Sequence, residues 1–182
     1  AQEAVRKGLS MGATNAIVIT DPALAGADAM ATSEVLAKAI SDGGYDFVIS
    51  GVESTDARMS VIPAMLSARI GHAQLTFANK VEVDVAAKKI LINRVTDSGE
   101  VEMEAAFPAV LSVVEKINEP RYPSFKGIMA AKKKEISTIS LTANSGTEVL
   151  EANARPPRTA GLKIEDDGNA AQKLVDFLAE RK

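Results

Sequence analysis

Apolar positions change period several times along the chain, and each change marks an element. AQEAVRKGLSMGA opens with Ala1, Ala4, Val5 and Leu9 on one helical stripe and ends at Gly12, which suits a C-terminal cap. NAIVIT is a short continuous apolar run rich in Ile and Val, the pattern of a buried parallel strand. From about Asp28 to Ser41, Val35, Leu36, Ala39 and Ile40 return to helical spacing until Gly43-Gly44 stops them, and YDFVIS, Tyr45 to Ser50, predicts a second buried strand. Strand, helix, strand, helix with short connectors predicts a right-handed parallel α/β layer.

After Gly71 the period becomes two: Phe77, Val81, Val83 and Val85 alternate with Lys80, Glu82 and Asp84. KILINRV and EVEMEAAF continue the alternation around Asp97-Ser98-Gly99, a hairpin signal, so three short strands form an antiparallel extension. AVLSVV, Ala109 to Val114, reads as another central strand, and the loop NEPRYPSFKG leads into Ile128-Met129-Ala130-Ala131 and the run Lys132-Lys133-Lys134. LTANSGTEVLEANARPPRTAG is polar, and Pro156-Pro157 resist helix and sheet alike, which predicts an extended arm. The last helix, about Asn169 to Glu180, sets Ala171, Leu174, Val175 and Leu178 on one face.

Composition narrows the chemistry. At 182 residues the chain is long enough to bury roughly 70% of its extended surface. With no Cys, it excludes disulfides, thiolate metal sites, iron–sulfur clusters and cysteine nucleophiles, and one His excludes multi-histidine sites. A net charge of −3 argues against a phosphate-backbone binder, so no nucleic-acid partner is expected. No apolar run reaches the roughly 20 residues that span a bilayer. A cytoplasmic or similarly reducing compartment is expected.

Two segments carry candidate chemistry. GVESTDARMSVIP follows the YDFVIS strand, where open parallel sheets bind ligands, and offers Ser54, Thr55, Asp56 and Ser60. Pro63 belongs in a helix's first turn, so the helix is expected near Ser60 with its free amides toward the crevice. That arrangement suits a phosphate, but plain capping by Ser and Thr explains the same residues, and neither a Walker nor a GxGxxG pattern decides between them. In the second segment Pro120 and Pro123 keep the chain extended, leaving Phe125 either an exposed partner anchor or a plug folded back into the domain. Lys132 to Lys134 read as a solvated helix end, and His72 as a cap or surface residue. Glu100, Glu102 and Glu104 read as the wet side of a sheet. Arg94 and Arg121 are expected in ion pairs, and Met59, Met65, Met103 and Met129 in the core.

FPAVLSVVEKINEPRYPSFKGIMAAKKKEI closely resembles the signature region of the electron transfer flavoprotein β-subunit family, which carries PAV, then NEPRY, then a GIM or similar step into a lysine cluster. GVESTDARMSVIP is similar to the family's nucleotide loop in place and length, and PPRTAGLKIE to its C-terminal arm. The resemblance implies an α/β fold with a parallel, nucleotide-binding-like three-layer sheet, an antiparallel strand extension, and a C-terminal arm plus helix. It implies an α/β domain over residues 1–142 and, over 143–182, an arm and helix contacting the partner subunit.

It further implies a carrier rather than an enzyme, with no catalytic acid, base or nucleophile of its own. Paired with an α-subunit, it would carry electrons through FAD from dehydrogenases of the acyl-CoA type to a quinone reductase or another acceptor. Structural AMP, replaced by a second FAD in bifurcating relatives, would lie on Val52, Glu53, Ser54, Thr55, Asp56, Ala57, Arg58, Met59, Ser60, Val61, Ile62 and Pro63. Partner docking would fall on Pro123, Phe125, Lys126, Gly127, Ile128 and Met129, with Phe125 where relatives often carry Leu. Relatives often have Gly near Ala57 and at Ser60. The chain opens without Met, and by the same resemblance the family's first strand and a further nucleotide-contacting loop belong upstream of Ala1. A different class, a small adenine-nucleotide-binding or hydrolysing α/β domain, fits the same loop, as does a purely structural subunit.

Overall fold

The computed structural model describes residues 2–158, 161 and 163–180. Ala1, and Thr159, Ala160 and Leu162 of the arm motif, lie outside the described residues. Contacts divide the chain between Val149 and Leu150 into two compact units.

In the first unit the helices are α1 (Gln2–Ser10), α2 (Ala29–Gly43), α3 (Ile62–Ile70) and α4 (Phe125–Lys133). The strands are β1 (Ile17–Ile19), β2 (Phe47–Gly51), β3 (Ala73–Asp84), β4 (Lys89–Thr96), β5 (Gly99–Ala106), β6 (Ala109–Val113) and β7 (Ser137–Ile139). The fold class is the expected mixed α/β with a parallel-dominated sheet. A five-stranded sheet has the order β2-β6-β3-β4-β5, parallel from β2 through β6 to β3 and antiparallel beyond. The parallel pair β1-β7 forms a separate two-stranded sheet.

Local chemistry sets the helix ends. Asp28 caps α2 by accepting from the Ala31 amide at 2.9 Å, and Gly44 ends the helix at φ 60°. Ser124 caps α4 by accepting from the Gly127 amide at 3.1 Å. That cap starts the helix at Phe125, so the residue expected in a loop stands on the first turn of a helix. β7 was not foreseen, because its three residues follow a lysine run and are too few to show a period.

The central strand is β6, whose Ala109, Val110, Leu111 and Ser112 are all buried. Its alternate side chains serve two packing layers. Leu111 joins Leu75, Ala78, Ile90 and Ile92, while Val110 packs with Ala37 and Leu66 under α2 and α3. The two strands expected to be buried are not fully so: Ile17 of β1 is 45% exposed and Ile49 of β2 is 59% exposed. Each has a strand on one side only among the described residues, so one backbone edge stays open. In β3 the register shifts between Leu75 and Ala78, with Phe77 at φ 62°, and this bulge is where the strand turns from its parallel to its antiparallel partner.

In the second unit residues 150–158 form neither helix nor strand, in keeping with an extended arm. Helix α5 (Ala170–Ala179) leaves Leu174, Val175 and Leu178 more than half exposed.

Candidate functional site

β2 and β6 run parallel in register from Phe47↔Ala109 to Gly51↔Val113. The two candidate segments therefore leave neighbouring strands at the same carboxyl end, the position at which open α/β sheets bind ligands.

The first segment, residues 52–61, exposes every side chain from Glu53 to Met59. Asp56 Oδ1 accepts from the Ala57 amide at 2.8 Å, and the Arg58 amide donates to Ser54 O at 3.2 Å. The Ser54 hydroxyl and then the Ala57 amide hold the Asp56 carboxyl below the usual carboxylate range. Arg58 and Ser60 adopt left-handed backbone, at φ 50° and 57°. That conformation favours Gly, so Ser60 carries a side chain where the backbone suits a residue without one. It also moves the helix start. A left-handed Ser60 cannot take the extended conformation of a cap, so α3 begins at Ile62 with Val61 as its cap residue and no side-chain hydrogen bond on its amides. The plain-capping explanation of these hydroxyls is thus not what the structure uses.

The second segment leaves β6 and turns outward. Phe125 is 80% exposed, so it is not a plug folded into the domain, and Tyr122 beside it is 95% exposed. Tyr122 was not among the expected residues, although its place between Pro120 and Pro123 was the signal: an extended backbone there has no wall to bury a ring against. Lys126, Ile128 and Met129 are exposed, and Pro123 and Gly127 are partly buried.

Several expectations need correction. Arg121 makes no ion pair among the described residues; its Nη2 donates to Met11 O at 2.6 Å. Arg94 stacks its guanidinium 5.2 Å from the Phe77 ring centroid. Lys132 and Lys133 are solvated, but Lys134 donates to Ala13 O at 2.5 Å. Met59 and Met129 are exposed rather than core, because both stand on the outward segments. His72 closes α3 through backbone bonds, its amide donating to Ser67 O while its carbonyl accepts from Ser67 Oγ. Glu100, Glu102 and Glu104 lie on the exposed sheet face, where Glu104 pairs with Lys89 at 2.6 Å. Among the described residues no cluster of side chains could hold a metal ion, and no helix is long and apolar enough to cross a membrane.

The α/β domain thus projects a polar loop and a ring-bearing segment side by side from two adjacent parallel strands. The electron transfer flavoprotein domain model matches residues 1–144. The electron transfer flavoprotein subunit beta of Mycobacterium leprae (strain TN) is 43% identical over 194 aligned residues, covering 100% of this chain and 72% of the relative. Those of Megasphaera elsdenii and Syntrophomonas wolfei subsp. wolfei are 31% and 35% identical, covering 100% and 98% of this chain and 73% and 70% of the relatives. The chain belongs to the electron transfer flavoprotein β-subunit family, whose role is electron carriage.

Proposed function

We propose that this chain pairs with an α-subunit and that the pair carries electrons through FAD from dehydrogenases of the acyl-CoA type to a quinone reductase or another acceptor. The observation that carries the reading is 43% identity running along the entire chain, both outward segments included. Bound FAD supplies the redox chemistry; this chain's residues bind, orient and dock.

Residues Val52 to Pro63 hold the adenine nucleotide, AMP or, in a bifurcating pair, a second FAD. Their donor set suits it: hydroxyls of Ser54, Thr55 and Ser60 and the uncapped amides of α3 toward phosphate, and the Asp56 carboxylate toward ribose or base donors. Pro123, Phe125, Lys126, Gly127, Ile128 and Met129 meet the dehydrogenase, with Phe125 as anchor. Residues 143–182 form the arm and helix that meet the α-subunit, and the exposed Leu174, Val175 and Leu178 supply an apolar face for it.

The test is to co-express the chain with its candidate α-subunit, release bound nucleotide by heating, and identify it by chromatography. Stoichiometric AMP with a flavin spectrum is expected; two FAD per pair would identify the bifurcating form. ATP turnover would favour a nucleotide-hydrolysing domain, and the absence of any nucleotide a purely structural subunit. Asp56→Ala is expected to reduce AMP retention, and full retention would remove Asp56 from the site.

A further inference from the structure

The segment that carries Phe125 is tied along its length to α1, more than a hundred positions away in sequence. Arg121 Nη2 donates to Met11 O at 2.6 Å across 110 residues. Gly127 passes so close to the same helix end that a Cβ there would lie 2.5 Å from Ser10 O. Beyond α4, Lys134 Nζ donates to Ala13 O at 2.5 Å, and Arg6 Nη1 reaches the opposite way to Ala131 O at 2.6 Å and Lys134 O at 3.1 Å. The cations meet carbonyls at or just beyond helix C-termini, where backbone acceptors have capacity to spare and the dipole favours positive charge. None of these bonds uses the rings of Tyr122 or Phe125.

We propose that α1 is a platform that holds the docking segment in its partner-ready conformation, and that Arg121 and Arg6 are positioning residues for recognition of the dehydrogenase. The proposal rests on the docking reading above. A segment fixed before the encounter loses little conformational freedom on binding, whereas a released one would lose it then and bind more weakly. Arg6 separates positioning from contact. It grips the far end of α4, and the nine-residue helix spans roughly 12 Å at about 1.5 Å per residue, well away from the anchor ring.

The experiment compares Arg121→Ala, Arg121→Lys, Arg6→Gln and Phe125→Ala in the flavin-loaded heterodimer, with the acyl-CoA-type dehydrogenase as varied substrate. Arg121→Ala and Arg6→Gln are each expected to raise the KM for the dehydrogenase about tenfold, with kcat at saturating dehydrogenase and flavin content unchanged. Arg121→Lys, which keeps one charged donor, is expected to recover part of the affinity. If Phe125→Ala raises KM but Arg121→Ala and Arg6→Gln do not, the platform is wrong and the docking reading stands. If Phe125→Ala leaves KM unchanged, the docking reading fails and takes the platform with it. An effect of Arg121→Ala without one of Arg6→Gln makes Arg121 a direct contact and overturns the proposal. Should Arg121→Ala not fold, Arg121→Lys and Arg6→Gln decide the matter by the same split.

Discussion

β2 and β6 are neighbours, yet the segments leaving their carboxyl ends are held in opposite ways. Residues 52–61 are stabilised from within: their hydrogen bonds join residues no more than four apart, and two non-glycine residues sit in left-handed backbone. Residues 118–134 are held from outside, by α1 and the turn that follows it, through bonds that span 110 to 128 positions. The difference matches the roles proposed for the two segments. A loop that closes on a small ligand gains from backbone shaped in advance, with amides and hydroxyls free to turn inward. A surface that receives a protein needs its anchors fixed relative to the whole domain.

The shared root of both segments is β6, so the largest effect is expected there. Leu111→Ala removes a fully buried side chain from the central strand and is expected to cost about 2–5 kcal/mol in chemical unfolding, with nucleotide retention and dehydrogenase affinity both reduced. Loss of only one of the two would mean that the segments do not depend on a common strand. Gly127→Ala is expected to act on the second segment alone. Its new Cβ meets backbone at Ser10 O, and the displacement costs about 1–3 kcal/mol while nucleotide retention stays at the wild-type level. Unchanged stability would show that α1 gives way freely and does not hold the segment.

The two modes of holding were not equally legible in the sequence. The loop 52–61 was readable because its signals are local: a strand, a run of Ser, Thr and Asp, then Pro63. Even its misplaced helix start has a local cause, the left-handed Ser60, where the side chain gives no sign of the backbone beneath it. The segment 118–134 was readable only as far as its prolines and rings. Arg121 was expected in an ion pair because side-chain charge suggests a charged partner, whereas its partner is the backbone carbonyl of Met11, exposed just where α1 has ended at Ser10. Lys134 was hidden for the same reason. Pattern gives the elements and their order, but a bond such as that of Lys134 to Ala13 O depends on the packing of those elements, which periodicity does not encode.

A smaller effect of opposite sign tests the preformed loop. Ser60→Gly places the residue that φ 57° favours and is expected to stabilise by about 0.5–1 kcal/mol, the relief of left-handed strain partly offset by the freedom Gly adds to the unfolded chain. Destabilisation would mean that the Ser60 side chain holds the loop and the backbone is not strained.

The smallest effect concerns acid. Asp28 and Asp56 are both held below the ordinary carboxyl value of 3.8, but by different partners. Asp28 accepts first from the Ala31 amide and then from Gly146 and Thr147, which lie 118 and 119 positions away. Asp56 accepts from Ser54 and Ala57, its near neighbours. A depressed carboxyl stabilises the fold fully above its unfolded value, and this contribution is lost as pH falls through the lower folded value. The linkage exists only to the extent that the partners separate on unfolding. Gly146 and Thr147 must leave Asp28, whereas Ser54 and Ala57 stay within reach of Asp56 in any chain. Below pH 4 the midpoint of unfolding is therefore expected to fall less steeply in Asp28→Asn than in the wild type, while Asp56→Asn follows the wild-type curve. Equal flattening in the two variants would show that a carboxylate held by its neighbours is tied to global folding as strongly as one held across the chain, and the contrast between the two kinds of loop would lose its energetic basis.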